Sequence, residues 1–165
     1  MSLKVTRDIV GDVLKGIHGL EKDQVLVGIP AANADRLVDP DPGKGPINNA
    51  AIGYIMENGS PAANIPERPH LVPGVSDARD EIVDRYKAGG KAILDRRVKD
   101  PKKVHHAVGL VAENSVKAKI NEGDFTPLAP ATIAARKRRG RKSEKPLVDT
   151  AQYRNAITHV VRPKR

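Results

Sequence analysis

The chain has 165 residues, of which 39% are hydrophobic and 30% charged, and its formal net charge is +9 at pH 7. This length accommodates one domain, and the sequence contains no cysteine, which excludes disulfides and thiolate metal sites. No run of 18 apolar residues and no signal peptide are recognised, so we expect a soluble protein made in a reducing cytosol.

Aromatic residues are scarce, with three Tyr, one Phe and no Trp. Because aromatic side chains bury the most area per residue, the core must be built from Val, Ile, Leu and Ala. We therefore expect a modest core of thin layers, completed by contact with neighbouring subunits.

The N-terminal part predicts one helix, one strand and a loop. Apolar residues at three- and four-residue spacing predict an amphipathic helix that ends near Gly19: Val5, Ile9, Val10, Val13, Leu14, Ile17 and Leu20. The β-branched run 24–29 predicts a strand that Pro30 ends. Residues 31–46 are polar and rich in Pro and Gly, which predicts a long mobile loop.

The middle of the chain predicts two helices. The first runs from Ile47 to Glu57 and is closed by Gly59, and a proline-rich stretch follows. Ser76 is the predicted N-cap of a long helix that reaches about Arg97. The pair Gly89-Gly90 within that helix indicates a bend or the close approach of another backbone.

The C-terminal part begins with Asp100-Pro101, a cap followed by a first-turn proline, which predicts a helix to about Glu122. A short helix is predicted over 132–139, and Asp149 is expected to cap one last turn, with Gln152 completing a capping box. Residues 157–161 alternate as a closing strand. These elements predict an α+β fold over 1–165, a single domain with a small β-sheet packed against several helices. The loop 31–46 is long enough to contain a third strand, which is the alternative to a two-stranded sheet.

The positive charge is concentrated in two places. Residues 136–145 contain seven basic residues and one acid, a net +6, and the basic tail 162–165 adds +3. Such clusters contact phosphates or acidic proteins, and a solvated surface run is the alternative. Without interleaved aromatics, any DNA contact would be non-specific and salt-sensitive. The residues expected to contact DNA or an acidic partner are Arg136, Lys137, Arg138, Arg139, Arg141 and Lys142.

Catalytic and metal signatures fail on specific residues. The start of a calcium loop at Asp39 and Asp41 has Ala50 at the twelfth position, where a bidentate Glu is needed. His105 and His106 are adjacent, so on a helix they point about 100° apart and are expected to lie on its surface. We therefore expect a protein that is not an enzyme and that needs no cofactor.

Two segments carry a family resemblance. The first reads Glu57-Asn58-Gly59 and then Ile65-Pro66-Glu67-Arg68-Pro69-His70; the second reads Pro127-Leu128 through Thr132-Ile133 and then Pro146-Leu147-Val148-Asp149-Thr150-Ala151. In this order they resemble the tail-completion (neck) proteins of long-tailed bacteriophages, over about residues 47–161. Asn58 and His70 stand where that family has Phe, Ala151 stands where it has Gly, and Tyr153 where it has Leu.

The resemblance implies a virion protein at the head–tail junction, assembled in the host cytoplasm. It implies a ring, hexameric in the family, that joins the head connector to the tail-tube or tail-terminator proteins, with packaged double-stranded DNA in its channel. Pro66 and Pro69 would hold an extended segment, Arg68 would pair with an acid, and Asp149 with Thr150 would order the final turn. A non-specific DNA-binding protein and another minor tail or head-closure component are the alternatives.

Overall fold

The computed structural model describes residues 10–35 and 47–164, and they form an α+β fold. The strands β1 (Asp23–Gly28) and β2 (Thr158–Pro163) pair antiparallel, with Val25 opposite Val161. The described helices are α1 (Val10–Lys22), α2 (Asn49–Asn58), α3 (Leu71–Asp77), α4 (Arg79–Leu94), α5 (Pro101–Glu122), α6 (Pro130–Arg138) and α7 (Gln152–Ala156). The predicted fold class is therefore confirmed.

Local capping signals set several helix ends where the sequence places them. The Asp100 carboxylate accepts the Lys102 N–H at 3.0 Å, with Pro101 in the first turn of α5. Gly123 ends α5, and Gly59 ends α2 with a φ of 72°, a left-handed value that favours glycine. The starts and ends of α2 and α5 follow the prediction within two residues.

Helix α5 lies at the centre of the molecule, against the sheet on one side and against α1, α3 and α4 on others. The buried core joins Val116 and Ile120 of α5 to Tyr153 of α7 and to Ile157, just before β2. Partly buried aliphatic residues from β1, α2 and α3 surround this cluster. Among the described residues, the buried hydrophobic side chains are Ala, Val and Ile, as the composition predicts, together with Tyr153.

Helix α4 runs without interruption through Gly89 and Gly90. A Cβ on Gly89 would lie 2.3 Å from Cγ1 of Val104, so this glycine lets α5 approach α4 closely. A close approach at this pair was predicted, but its neighbour is the Val104 side chain rather than the backbone that was expected.

The long helix predicted from Ser76 to Arg97 is wrong in its start. Ser76 lies inside α3, and the break between α3 and α4 falls at Ala78. The N-terminus of α3 is capped by the carboxylate of Glu57, which belongs to α2, and this long-range cap has no local sequence signal.

The predicted loop 31–46 is partly corrected. Residues Ala31–Asn33 form a 3₁₀ turn. Ala34 is buried, and its carbonyl accepts the N–H of Asn49 at 2.7 Å. Residues 36–46, like Val5 and Ile9 of the predicted first helix, lie outside the described residues. The described part of the chain has two strands in its sheet, and 31–35 supplies no third.

Candidate functional site

Arg68 joins the two segments that carry the family resemblance. Its Nε donates to the carbonyl of Thr126 at 2.8 Å, and its Nη2 donates to the carbonyl of Pro127 at 3.0 Å. The guanidinium fork thus binds two consecutive carbonyls of a chain segment almost 60 residues away. Residues 65–70 and 125–130 therefore form one joint, which we call the Arg68 joint.

The expected acidic partner of Arg68 is wrong. The residue is 4% exposed, and its described hydrogen bonds go to carbonyl oxygens and, through Nη1, to Sδ of Met56 at 3.9 Å. Burial, and then the positive charge of Arg136, lower the pKa of Arg68. A guanidinium stays protonated in proteins, so the joint contains a buried cation held by backbone dipoles.

Residues 66–70, which include Pro66 and Pro69, form neither a helix nor a strand, and they lead into the short helix α3 rather than the predicted long one. Glu57 accepts the backbone N–H groups of His70, Leu71 and Val72 at 2.8, 2.9 and 3.0 Å. Burial would raise the pKa of Glu57, but these three donors outweigh it and hold the pKa below its ordinary value.

His70 and Tyr153 form a buried polar pair behind the joint. The Nδ1–H of His70 donates to the carbonyl of Arg68 at 2.8 Å, which leaves Nε2 to accept from the Tyr153 hydroxyl. Burial lowers the pKa of His70, and burial together with the Glu57 carboxylate raises the pKa of Tyr153. Both rings are therefore neutral near pH 7, and Gly53 of α2 leaves room for the phenol.

An open groove of about 720 Å³ lies beside the Arg68 joint. Its walls come from the end of α2, the turn after it and the start of α6, and they include Met56, Gly59, Ile65, Pro66, Leu128 and Thr132. The groove is thus lined by the same two segments that Arg68 ties together.

The basic segment 136–145 is only partly available to a partner. Arg136 lies in the last turn of α6, and its Nη1 donates to the carbonyls of Ser143, Lys145 and Val148 at 2.9–3.0 Å. Arg141 forms a hydrogen-bonded ion pair with Asp149. These two arginines hold the loop against the protein. The internal hydrogen bonds of Arg136 and Arg141 argue against the DNA contact predicted for these two residues.

Asp149 does not cap α7, so that prediction is wrong. Its carboxylate pairs with Arg141, and its Oδ1 lies 3.8 Å from Nε of Arg136. Ala151, in a left-handed conformation, occupies the N-cap position, and Gln152 forms no capping box. Two cations attract this carboxylate more strongly than one exposed helix terminus.

Four of the six predicted contact residues remain on the surface: Lys137, Arg138, Arg139 and Lys142. Lys137 pairs with Glu144 at 2.8 Å, both largely exposed. The predicted basic tail is corrected too, because Arg162 belongs to strand β2, opposite Gln24. Lys164 is exposed just beyond the strand, and Arg165 lies outside the described residues.

Large apolar side chains are exposed on several elements. Val10, Leu14 and Ile17 form one stripe on α1, and Leu26 lies on β1. The most exposed are Tyr54 of α2 and Val72 of α3, at 72% and 73%. Several separate faces of the protein therefore carry apolar contact area.

Sequence reasoning missed Glu57, His70 and Tyr153 as interacting residues, and it placed His105 on the surface, which is wrong. His105 is fully buried, with Nδ1 at 3.0 Å from the Tyr86 hydroxyl, whereas His106 is exposed as predicted.

Among the described residues, no group of three or more metal-ligating side chains comes together. Within 10–35 and 47–164, no helix is both long enough and apolar enough to cross a bilayer. Comparisons with protein-family models, with curated proteins and with solved structures give no match to the chain.

Proposed function

We propose that this chain is a structural virion protein of a long-tailed bacteriophage, located at the head–tail junction. There it joins the head connector to the tail tube as one subunit of a ring. The observation that carries the proposal is the Arg68 joint, in which the two segments that resemble tail-completion proteins are bound to each other by a buried guanidinium.

The joint supports a mechanical role because it is made of fixed contacts. Three backbone N–H groups bind Glu57, two carbonyls bind Arg68, and His70 connects the joint to α7. Polar networks that are fully satisfied rigidify a structure. A subunit that transmits load between head and tail needs its contact segments held in one geometry.

The exposed apolar residues support assembly with other chains. Val10, Leu14 and Ile17 on α1 and Leu26 on β1 lie on different elements. In a ring each subunit has two neighbours and also meets the layers above and below it. Several apolar faces on one small subunit suit that arrangement.

A second candidate is non-specific binding to DNA. The observation that favours it is the exposed basic set on α6 and the following loop, formed by Lys137, Arg138, Arg139 and Lys142. Within the proposed ring the same residues would face either the DNA in the channel or an acidic neighbour.

In vitro complementation tests the proposal. An extract of infected cells that lacks this protein contains separate heads and tails, and adding the purified chain should restore infectious particles. Heat-denatured chain is the control. Restoration by the native chain is expected, and failure to restore particles, with the added protein folded and monodisperse, contradicts the proposal.

A further inference from the structure

The imidazole of His159, on β2, packs against helix α5 at Gly109. A Cβ on Gly109 would lie 2.2 Å from Cδ2 of His159, so only a glycine leaves space for this imidazole. A glycine inside a helix costs about 1 kcal/mol relative to alanine. The longest helix of the described chain thus carries an unfavourable residue where the ring of His159 rests.

Glu113, one helical turn further along α5, fixes the orientation of the ring. Its Oε2 accepts the Nδ1–H of His159 at 2.8 Å and also lies 3.1 Å from Oγ1 of Thr158. Both His159 and Glu113 are largely buried. Because Nδ1 donates to the carboxylate, the neutral ring carries its lone pair on Nε2.

That Nε2 points at a second imidazole. Nδ1 of His106, on the exposed face of α5, lies 3.1 Å from Nε2 of His159, and the two ring planes are 65° apart. Two nitrogens bound to one zinc at about 2.0–2.1 Å, at the tetrahedral angle, lie about 3.3–3.4 Å apart. The observed separation is within a few tenths of an ångström of that value.

We propose that His106 and His159 form a binding site for a divalent cation that prefers imidazole, of the class of Zn²⁺. Nε2 of His159 and Nδ1 of His106 are the two protein ligands, and water completes the coordination. Glu113 supplies the carboxylate that commonly supports a metal-bound histidine. The site joins helix α5 to strand β2, and it is independent of the function proposed above.

The local charge is compatible with such a cation. The basic residue Lys117 pairs with Glu113, and its Nζ donates to Oε1 of the carboxylate at 2.6 Å. That ion pair neutralises the carboxylate, so attraction of the cation rests on the two imidazole lone pairs. The Nδ1 proton of His106 moves to Nε2 of the same ring when the cation binds. Imidazole ligands favour metals such as Zn²⁺, whereas Mg²⁺ and Ca²⁺ require oxygen ligands.

The test is a calorimetric titration of the metal-free chain with ZnCl₂, followed by ¹H–¹⁵N NMR of the imidazoles. We expect one ion per chain, with shifts confined to the resonances of His106 and His159. His106→Ala should weaken binding by about tenfold or more, and Glu113→Gln by about tenfold. His18→Ala removes an exposed histidine on α1 and is the matched control, expected to bind as the native chain does.

His106 is exposed on a helix, so its alanine variant keeps the fold, and circular dichroism checks this. Equal zinc affinity in the native chain and in His106→Ala would overturn the proposal. So would zinc-induced shifts at His18 in place of the pair, or the absence of binding in the native chain. The histidine pair would then be a plain N–H···N hydrogen bond between α5 and β2.

Discussion

The imidazole of His70 and the phenol of Tyr153, 83 residues apart in the chain, share a buried hydrogen bond that joins the start of α3 to α7. The same imidazole binds the carbonyl of Arg68 through its other nitrogen. The buried pair therefore connects the Arg68 joint to the core cluster that contains Tyr153.

Removing the Tyr153 hydroxyl should destabilise the protein. Tyr153→Phe keeps the ring but leaves Nε2 of His70 buried without a donor, which we expect to lower the free energy of unfolding by about 1–3 kcal/mol. Urea denaturation measures this. The control is Tyr54→Phe, an exposed tyrosine on α2, for which we expect a change within about 0.5 kcal/mol. Equal effects of the two variants would contradict the role given to the pair.

The adjacent glycines of α4 should respond to alanine with opposite signs. A Cβ at position 89 overlaps both methyl groups of Val104, at 2.3 and 2.8 Å, whereas one at position 90 meets nothing within 4 Å. Gly90→Ala should stabilise by about 0.8–1 kcal/mol through helix propensity. Gly89→Ala should destabilise, since overpacking costs about 1–3 kcal/mol. Thermal melts compare the two, and stabilisation by Gly89→Ala would show that α4 and α5 are not in close contact there.

Acidification should remove the stabilisation that Glu57 provides. The folded-state pKa of Glu57 lies below its ordinary value of 4.5, so its contribution is complete above pH 4.5. That contribution is lost as the pH falls through the folded value. Glu57→Gln should lower stability at pH 7 and flatten the loss of stability as the pH falls below 4.5.

Glu81→Gln is the control for this pH series. Glu81 lies on the exposed side of α4, 3.4 Å from Arg85, with more than half of both side chains exposed. Such surface pairs contribute little, so the acid slope of this variant should equal that of the native chain. An unchanged slope in Glu57→Gln would be evidence against the capping role of Glu57.

The Arg68 joint requires the fork of a guanidinium rather than a positive charge alone. Arg68→Lys supplies one ammonium, which cannot serve the Thr126 and Pro127 carbonyls in the same geometry. We expect a loss of about 1–3 kcal/mol in the free energy of unfolding and faster proteolysis within residues 123–130. The same change at exposed Arg85 should affect neither measurement. An Arg68→Lys variant as resistant to protease as the native chain would contradict the joint.

The basic residues of α6 and the loop after it should fall into two groups, one that affects DNA binding and one that affects the melting temperature. Arg138→Glu combined with Lys142→Glu should leave the melting temperature unchanged, because both side chains are exposed. If the basic set meets DNA, the same pair should lower the salt slope of binding by about one per lost phosphate contact. Arg136→Ala should instead lower the melting temperature, since three carbonyls lose their donor. DNA binding that is unaffected by the double change would remove the DNA role.

Local signals in the sequence were sufficient for the ends of α2 and α5. Asp100 with Pro101, Gly59 and Gly123 act on backbone groups within a few residues, so their effect can be predicted from spacing alone. The first strand was predicted from its β-branched run and the closing strand from its alternation, and antiparallel pairing gives them a common sheet. The fold class follows from these elements.

Long-range polar contacts could not be predicted in the same way. Asp149 has the sequence context of a helix cap, but Arg141 and Arg136 lie close enough in space to bind it instead. Glu57 caps a helix that begins 14 residues later, and Arg68 binds carbonyls that carry no side-chain signal. In each case tertiary packing decides which groups meet, and the residue pattern of a single segment carries no information about that packing.

Electron microscopy of lysates from a phage that lacks this gene tests the head–tail assignment most directly. We predict filled heads and finished tails lying unjoined, or tails of abnormal length, with normal virions restored by supplying the gene in trans. Heads without DNA would move the protein to head closure, the neighbouring position in the same particle. Normal virions in the absence of the protein would contradict the assignment and leave DNA binding by the exposed basic residues as the function to examine.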